Sequence, residues 1–449
     1  MHVLLHRRVS GRVSARRAGV SAAFAQSRRL NFMRRPVLLI AVLALAPAAP
    51  GATPSAPAAS GPASASQRGA ERGRGPAPAI EAQREAPVTP QQMKAAIDRL
   101  GTIDYAVRSA AARTVRRAPV GTAIPALLDA VAGHADGYVR FRALVLLSGF
   151  NDTRTRDVMA GVLTAPNDRL RAVAYAYFEH NPDPQMLPRL LDALDREESE
   201  FVRPALTRAL AAYGGDSRVR DVLTGLVLKG QDFFRSVVIE ALGDYKAAYA
   251  LKVITDVAKL EGPLQDDAVV ALGKIGDKRS LETLAPLQRT ASRNLQPSIA
   301  SAICLLGINC SSHQAYLVKS LRFGIDTIGF QELLRASASG LAALAISGDA
   351  SAASALIEAG GPSRDPARAA IALALGAVAL RNTPLMLKVL ESRADPKPAI
   401  ALLGEAFDML EEDLQEERFF VLVRRGYWAA PESSTARKIA GALIQTLDF

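Results

Sequence analysis

Histidine, cysteine and aromatic residues are scarce in this chain, and their scarcity excludes several classes of chemistry. Among 449 residues there are five histidines, two cysteines and one tryptophan, and aromatic residues make up 5%. His2 and His6 lie in the N-terminal leader, whereas His134, His180 and His313 each stand alone near a predicted helix end. The sequence contains no Cys/His zinc cluster, Gly-x-Ser-x-Gly turn, phosphate-binding glycine loop or His-Glu-x-x-His motif. We therefore expect no catalytic residue, no metal site and no cofactor.

Acidic residues are missing from the start of the chain, and the first one is Glu71. Residues 1–90 contain 13 arginines, no lysine and three acids, which leaves 42 basic and 41 acidic residues in 91–449. Of the net charge of +11, +10 therefore belongs to residues 1–90 and +1 to residues 91–449. A surface that binds nucleic acid needs an excess of Lys and Arg on the folded part. We expect none here, and nucleic-acid binding is kept only as a second alternative function.

Residues 1–50 have the layout of an export leader. Met33-Arg34-Arg35-Pro36 precedes an apolar run, 37–46, and small residues follow, as in a secretory signal peptide. Small-x-small cleavage sites lie at 46–48 and 49–51. The run is too short to cross a bilayer comfortably, so we expect no stable membrane span after the signal is removed. Met33 is the predicted start, and whether residues 1–32 are translated is left open.

The leader predicts an exported protein of the periplasm or cell envelope, with an organelle or the cytoplasm as alternatives. Residues 51–90 are rich in Ala, Pro, Ser and Gly and are predicted to form a disordered linker. Cys304 and Cys310 are the two cysteines. We favour Cys304 as a small buried apolar residue without a disulfide, although the pair could be joined in an oxidising compartment.

A repeat of 32 residues is the strongest pattern in the sequence. An acid recurs at this interval, and an arginine follows each acid by three or four positions. The acids are Asp104, Asp136, Asp168, Glu200 and Asp232, and the arginines are Arg108, Arg140, Arg171, Arg203 and Arg235. Turn signals such as Gly-Asp and Asn-Pro fall between successive copies. This spacing is typical of a helix–turn–helix unit.

The physical chemistry of helix ends accounts for this repeat. An acid at a helix start accepts bonds from free backbone N–H groups and lies at the positive end of the dipole. An arginine one turn later can reach carboxylates and carbonyls of its own turn and of the neighbouring unit. One such hairpin cannot cover its own apolar face, so it stacks on the next copy. We predict an all-α solenoid of about ten hairpins over 91–395, followed by a C-terminal helical cap, 396–449.

Two segments carry a resemblance to a known family. Val139-Arg140-Phe141-Arg142-Ala143 and Ala271-Leu272-Gly273-Lys274-Ile275-Gly276-Asp277 resemble the HEAT-like repeats grouped with phycobilisome lyases. The likeness extends over roughly 91–380 and implies the solenoid fold rather than one activity, because scaffolds, lyases and a few enzymes share it. The His-Glu dipeptides that hold iron in deoxyhypusine hydroxylase, an enzyme built on such repeats, are absent here.

Two aromatic groups are candidate partner surfaces. Phe233 and Phe234 open a repeat helix, and one of them is expected to pack inward. Phe419, Phe420, Tyr427 and Trp428 form either the core of the terminal cap or an exposed patch. An irregular stretch, 323–330, is a further candidate recognition loop.

These observations predict a non-catalytic, exported scaffold that binds a protein or peptide on the concave face of the solenoid. The alternative is a lyase-like or other modifying enzyme with its active site in the groove. A concave cluster of buried, converging ionisable residues would favour the enzyme. The partner, the pathway and the oligomeric state are left open.

Overall fold

A computed structural model describes residues 87–410 and 413–449 of the chain. Within these residues it contains 22 α-helices and no strand, so the prediction of an all-α solenoid is confirmed. The predicted leader and almost all of the predicted linker, 51–90, lie outside the described residues. Their structure therefore stays a prediction.

The helices are short and follow one another closely, with four single 3₁₀ turns between them at 162–164, 184–186, 248–250 and 278–280. In chain order they are α1 Pro90–Arg99, α2 Tyr105–Arg117, α3 Val120–Gly133, α4 Gly137–Ser148, α5 Arg154–Gly161, α6 Asp168–His180, α7 Leu187–Arg196, α8 Arg203–Ala211, α9 Ser217–Leu226, α10 Asp232–Asp244, α11 Leu251–Ala258, α12 Gln265–Ile275, α13 Leu281–Thr290, α14 Gln296–Leu305, α15 Cys310–Asp326, α16 Gln331–Ile346, α17 Ala350–Gly360, α18 Ala367–Arg381, α19 Thr383–Glu391, α20 Lys397–Met409, α21 Asp413–Ala429 and α22 Thr435–Leu447.

Local sequence starts the first helix where the linker composition ends. The Thr89 hydroxyl accepts a bond from the Gln92 backbone N–H at 3.2 Å, and the Gln92 side chain accepts one from the Thr89 N–H at 2.8 Å. Pro90 occupies the first helical position, where a missing N–H does no harm. The predicted linker thus gives way to helix at its last residue.

Helices α1 to α20 pair into ten successive hairpins, and the second helix of each hairpin packs against the second helix of the next. These even-numbered helices form the inner layer, and some of them are covered on every side. In α8, all eight residues from Pro204 to Ala211 are buried. An outer layer of odd-numbered helices covers their other face, so that small and medium apolar side chains fill the space between the layers.

Glycines let the inner helices approach one another closely. A Cβ atom at Gly243 of α10 would lie 2.9 Å from the Ala271 Cα, and one at Gly273 of α12 would lie 2.5 Å from the Ala302 Cα. Real Cβ atoms do not come so near to backbone, so a larger residue would push two helices apart. The Leu-Gly element in the repeat is therefore a packing requirement of the inner layer.

The C-terminal helices fold back onto the first hairpins. Helix α21 packs against α4 and α6 near the start of the solenoid and against α18 near its end. The Arg116 guanidinium of α2 pairs with the Glu417 carboxylate of α21 at 2.8 Å, and both side chains are buried. Arg117 donates to the Phe449 carbonyl at 2.9 Å. The segment predicted as a terminal cap therefore closes the inner side of the solenoid.

Cys304 and Cys310 are joined by a disulfide bond, so the favoured interpretation of an unpaired Cys304 was wrong. Gly307 and Asn309 both adopt positive φ values in the short turn between α14 and α15. This turn brings the two Cα atoms to 4.2 Å. The sequence separation of six residues gave no sign of so tight a turn.

The buried Arg116–Glu417 pair should make a measurable contribution to stability. We expect Glu417→Gln to lower the free energy of unfolding by about 3 kcal/mol, because it leaves a buried guanidinium without its carboxylate. Urea unfolding followed by circular dichroism measures the change. Asp256→Asn is the matched control, since its partner Lys252 is 90% exposed and the loss should be far smaller. Equal losses in both variants would contradict a closing role for the pair.

Candidate functional site

The repeating arginines bind backbone carbonyls at the end of the preceding helix. Arg108, Arg140, Arg171 and Arg235 each donate to such a carbonyl, on Thr102 at 2.8 Å, Val131 at 2.9 Å, Ala165 at 2.7 Å and Val227 at 2.8 Å. The last carbonyls of a helix have no partner within the helix, so each guanidinium satisfies groups that would otherwise need water. These four arginines therefore clamp the two helices of their own hairpin together.

The repeating acids play less uniform roles. Asp104 and Asp136 accept bonds from the backbone N–H of Val107 and Tyr138 and so cap α2 and α4. Asp168 and Asp232 lie one position after the capping position, since they are the first residues of α6 and α10.

The fifth acid, Glu200, lies in the turn before α8, whose start has no side-chain cap among the described residues. Of the five acid–arginine couples, the structure pairs Asp232 with Arg235, at 3.1 Å. The expectation that these couples join successive hairpins is thus corrected. Four of the five arginines bind carbonyls of their own turn, and Arg171 also pairs with Glu197 of the next hairpin at 2.7 Å.

The same clamp continues where the arginine pattern stops. Gln265 and Gln296 donate their amide N–H groups to the carbonyls of Ala258 and Ala291, both at 3.1 Å, and Arg368 donates to the Gly361 carbonyl at 2.9 Å. Gln265 and Gln296 stand where the repeat pattern would have an arginine. The position therefore requires a long side chain with an N–H donor rather than arginine itself.

Large apolar side chains are exposed at three consecutive turns within hairpins. Phe201 is 84% exposed in the α7–α8 turn, Leu228 62% in the α9–α10 turn and Leu260 67% in the α11–α12 turn. Phe233, the second residue of α10, is 49% exposed beside them, whereas Phe234 is buried. We call Phe201, Leu228, Phe233 and Leu260 the apolar edge. Monomeric proteins rarely expose such a row without a use for it.

Guanidinium groups stack on aromatic rings along the same side of the solenoid. The Arg203 guanidinium lies 4.9 Å from the centre of the Phe234 ring, and Arg293 lies 5.1 Å from that of Phe330. Such cation–π contacts hold long side chains in place and combine charge with apolar surface. In the predicted recognition stretch, 323–330, Ile328 is 98% exposed.

The C-terminal aromatic group is mostly core, which corrects its candidacy as an exposed patch. Phe419 and Phe420 are buried, and their rings contact Phe407 and Phe449. Helix α21 buries them as it folds back onto the early hairpins. Tyr427 and Trp428 are partly exposed, and the Arg437 guanidinium covers both rings, at 4.6 and 5.4 Å.

Six charged side chains converge on the inner face: Glu179 of α6, Arg208 of α8, Glu240 and Asp244 of α10, Lys274 of α12 and Arg381 of α18. Arg208 contacts Glu179 at 3.1 Å and Asp244 at 2.9 Å, and Lys274 contacts Asp244 at 2.7 Å. Arg381 reaches across from the ninth hairpin to Glu240 of the fifth at 2.6 Å. We call these six residues the inner charge cluster.

Three acids and three bases balance one another in the inner charge cluster. Burial opposes ionisation of Asp244, but Lys274, Arg381 and Arg208 outweigh that effect and lower its pKa. Burial raises the pKa of Glu179, and Arg208 opposes the rise. Each charge thus finds its counter-charge inside the cluster, as a buried network requires.

Asp267, on α12 beside the cluster, is the carboxyl group that titrates near neutral pH. Burial raises its pKa to about 7, and the neighbouring Asp266 carboxylate adds to the rise. A pKa of this kind also occurs in active sites, so the inner face meets the criterion stated for an enzyme. By contrast, the six charges of the cluster pair with one another, which is the arrangement that a structural role requires.

The described residues hold neither a cluster of metal ligands nor a single membrane-spanning helix. No group of three or more His, Cys, Asp or Glu side chains there could hold a metal ion. Within the same residues no single helix is long and apolar enough to cross a membrane, although α18 and α19, joined by a bend of 113°, meet the length and composition criteria together.

Comparison with known proteins supports the repeat assignment. A family model for HEAT repeats matches residues 162–243, which span α6 to α10. The predicted resemblance to HEAT repeats is thus confirmed over this segment. The likeness to the phycobilisome-lyase group gained no support from the comparisons. No curated protein sequence matches the chain.

A solved structure is also similar in its chain path. It comes from the study "Kap95p Binding Induces the Switch Loops of RanGDP to adopt the GTP-bound Conformation", and the matched chain is 12% identical with a TM-score of 0.33. The match covers 80% of this chain and 55% of that chain. This chain thus spans about half the length of the solved one.

The raised pKa of Asp267 predicts a pH-dependent effect of its removal. A carboxyl group whose pKa is higher in the folded than in the unfolded state destabilises the fold as pH rises from about 4 to 7. We expect Asp267→Asn to have a free energy of unfolding about 1–2 kcal/mol higher than that of the wild type at pH 8, a difference that the partial exposure of the side chain limits. At pH 4 the two proteins should be equally stable. Urea unfolding at both pH values tests this.

The control is Asp256→Asn, because the side-chain bond from Lys252 lowers the pKa of Asp256. Its removal should act in the opposite direction, with a small loss of stability at pH 8. A stability difference for Asp267→Asn that stays constant between pH 4 and pH 8 would contradict the shift.

Proposed function

We propose that the protein is an exported scaffold that binds an extended segment of a partner protein along the apolar edge. The observation that carries this proposal is the exposure of Phe201, Leu228 and Leu260 at three consecutive turns. The HEAT-repeat solenoid fits a protein-binding role, because stacked hairpins offer long continuous surfaces.

The spacing of the turns suits an extended chain. Packed helices lie about 8–10 Å apart, so equivalent positions in successive hairpins recur at about that interval. A polypeptide in the extended polyproline II conformation advances about 3.1 Å per residue and has three residues per turn, so every third side chain of the partner would meet the next turn. The preferred partner segment therefore carries apolar side chains about three residues apart.

Open backbone donors lie next to these apolar side chains. Among the described helix starts, α8, α10 and α12 have no side-chain cap, whereas α2, α4 and α6 are capped by Asp104, Asp136 and Asn167. The first N–H groups of a helix favour a carbonyl or carboxylate oxygen. A partner segment on the apolar edge can supply such oxygens mainly to α10, because the Arg203 N–H of α8 and the Gln265 N–H of α12 already bind the carbonyls of Ser199 and Gly262.

The edge is a better candidate than the concave face for this role. Helix α21 packs on the inner side of α4 and α6, and the inner charge cluster connects α10 with α18. A partner entering the concave side would have to displace both. The apolar edge needs no such rearrangement, because its side chains are already exposed.

An acid–base enzyme working on the inner face is the second candidate. Asp267 favours it, since a carboxyl group with a pKa of about 7 can exchange protons at neutral pH. We rank this function second because the six charges of the cluster neutralise one another.

Export is part of the proposal and is supported by two independent features. The signal-like leader stands upstream of the repeats, and Cys304 and Cys310 are paired, as is typical of proteins in oxidising compartments. An envelope location would also place the partner among exported proteins.

Substitutions on the apolar edge test the binding site. We expect Phe201→Ser and Leu260→Ser each to weaken the partner complex at least tenfold, since each removes a large apolar contact. Tagged wild-type protein is used to purify the partner from its own host, and the affinities are then measured with the isolated partner. Ile103→Ser is the matched control, because Ile103 is 98% exposed at the first turn, away from the edge. Unchanged affinity in both edge variants would exclude this surface.

The export proposal predicts the state of the protein in its host. Intact-mass measurement should show a chain that begins at residue 49 or residue 52, because cleavage follows the last residue of the small-x-small site at 46–48 or 49–51. Alkylation without reductant should modify neither Cys304 nor Cys310, and alkylation after reduction should modify both. A cytoplasmic protein that starts at Met1 or Met33 with two free thiols would refute export.

A further inference from the structure

A pocket of about 220 Å³ lies between α21 and the turns that end α4 and α6. These turns connect one hairpin to the next, so the pocket opens on the side of the solenoid opposite to the apolar edge. None of its lining residues belongs to the inner charge cluster or to the apolar edge. It is larger than the cavity of roughly 150 Å³ that holds a benzene molecule in a protein core.

One wall of the pocket is cationic. Arg418 and Arg425, both on α21 and seven residues apart, line it from the same face of the helix. The described part of the chain offers neither of them an ion-pair partner. The opposite wall holds one carboxylate, on Asp152, which Arg154 already binds at 2.8 Å. The pocket therefore has an excess of positive charge.

Polar atoms without a partner stand at the floor of the pocket. Both ring nitrogens of His180 and the Thr155 hydroxyl are shielded from solvent and bind no other group of the described chain. An unsatisfied buried polar group lowers the stability of the fold by about 1–3 kcal/mol unless a ligand forms its hydrogen bonds. Burial, aided by repulsion from Arg418 and Arg208, lowers the pKa of His180 well below its ordinary value. The neutral ring offers one N–H donor and one acceptor nitrogen.

Beside the polar Ser148, Asn151 and Asn181, the lining has an apolar part. Leu414, Val421 and Leu422 of α21 provide it, between and beside the two arginines. A guanidinium group binds carboxylate and phosphate oxygens with two parallel bonds, which gives geometric specificity as well as energy. Cationic, neutral polar and apolar surfaces thus meet in one small, partly open pocket, and small-molecule sites combine apolar lining with a few polar groups in this way.

We propose that this pocket binds a small organic oxyanion, a carboxylate or a phosphate monoester with a compact apolar group. The oxyanion lies against Arg418 and Arg425, His180 and Thr155 complete its hydrogen bonds, and the apolar group rests on Leu414 and Val421. Because α21 supplies one wall and α4 and α6 the other, the ligand would also hold the closing helix on the early hairpins. This site is independent of partner binding at the apolar edge.

The test uses the full chain and three probes of matched size: benzoate, phenyl phosphate and the neutral benzyl alcohol. Isothermal titration calorimetry should show saturable binding of at least one anion with a dissociation constant below ~10 mM and no binding of the alcohol. Binding of benzoate alone identifies a carboxylate site, and binding of phenyl phosphate alone a phosphate site. Failure of both anions to bind, or equal binding of the alcohol, would overturn the proposal.

Variants show whether the binding takes place in this pocket. Arg418→Gln and Arg425→Gln should each weaken anion binding at least tenfold, and His180→Gln should weaken it less. Arg425 is exposed, so its variant tests the site even where Arg418→Gln disturbs folding. Arg289→Gln removes the same charge from an exposed position on α13 and should leave the affinity unchanged. Equal weakening in Arg289→Gln, or none in Arg425→Gln, would place the anion elsewhere.

Discussion

This architecture depends on one interaction. A long side chain near the start of one helix donates a hydrogen bond to the last backbone carbonyls of the helix before it. Each hairpin has to turn sharply, and the turn leaves backbone oxygens without partners. Arg108, Arg140, Arg171 and Arg235 satisfy them, and glutamines and Arg368 do so further along. A fixed turn sets the angle between the two helices, and that angle lets the inner helices stack at close range.

Stacking at close range has two consequences for the rest of the molecule. Inner helices such as α8 are buried on all sides, so glycine and alanine line their contacts, and the charges that remain there must neutralise one another. The turns, by contrast, stay outside. They carry large apolar side chains that stay exposed, and these side chains give the molecule its most distinctive exposed surface.

Much of the fold could be predicted from the sequence, because the repeat places capping acids and clamping arginines at regular intervals. The period revealed the helical hairpins and their stacking into a solenoid. It did not reveal what each arginine binds, because every residue has a backbone carbonyl and the acceptor therefore requires no particular residue type. Gln265 was missed because the chemistry of the position, an N–H donor on a long side chain, was equated with one residue type.

The sites were harder to anticipate for a physical reason. Glu417 and Arg116 are 301 residues apart, and Arg381 and Glu240 are 141 apart. No local periodicity encodes contacts of that range. Phe419 and Phe420 therefore had two possible environments, and the return of α21 decided between them. The separation of Phe233 from Phe234 followed from helical geometry alone, because adjacent residues on a helix point in different directions.

Open solenoids tolerate changes in length, since each unit touches only its neighbours and units can be duplicated or lost one by one. The return of α21 to α4 and α6 removes that freedom here. An eleventh hairpin would carry Glu417 away from Arg116, and a ninth-hairpin deletion would take Arg381 from Glu240. The number of repeats is consequently fixed in this molecule. Sequence can vary more freely at the side chains that each turn exposes.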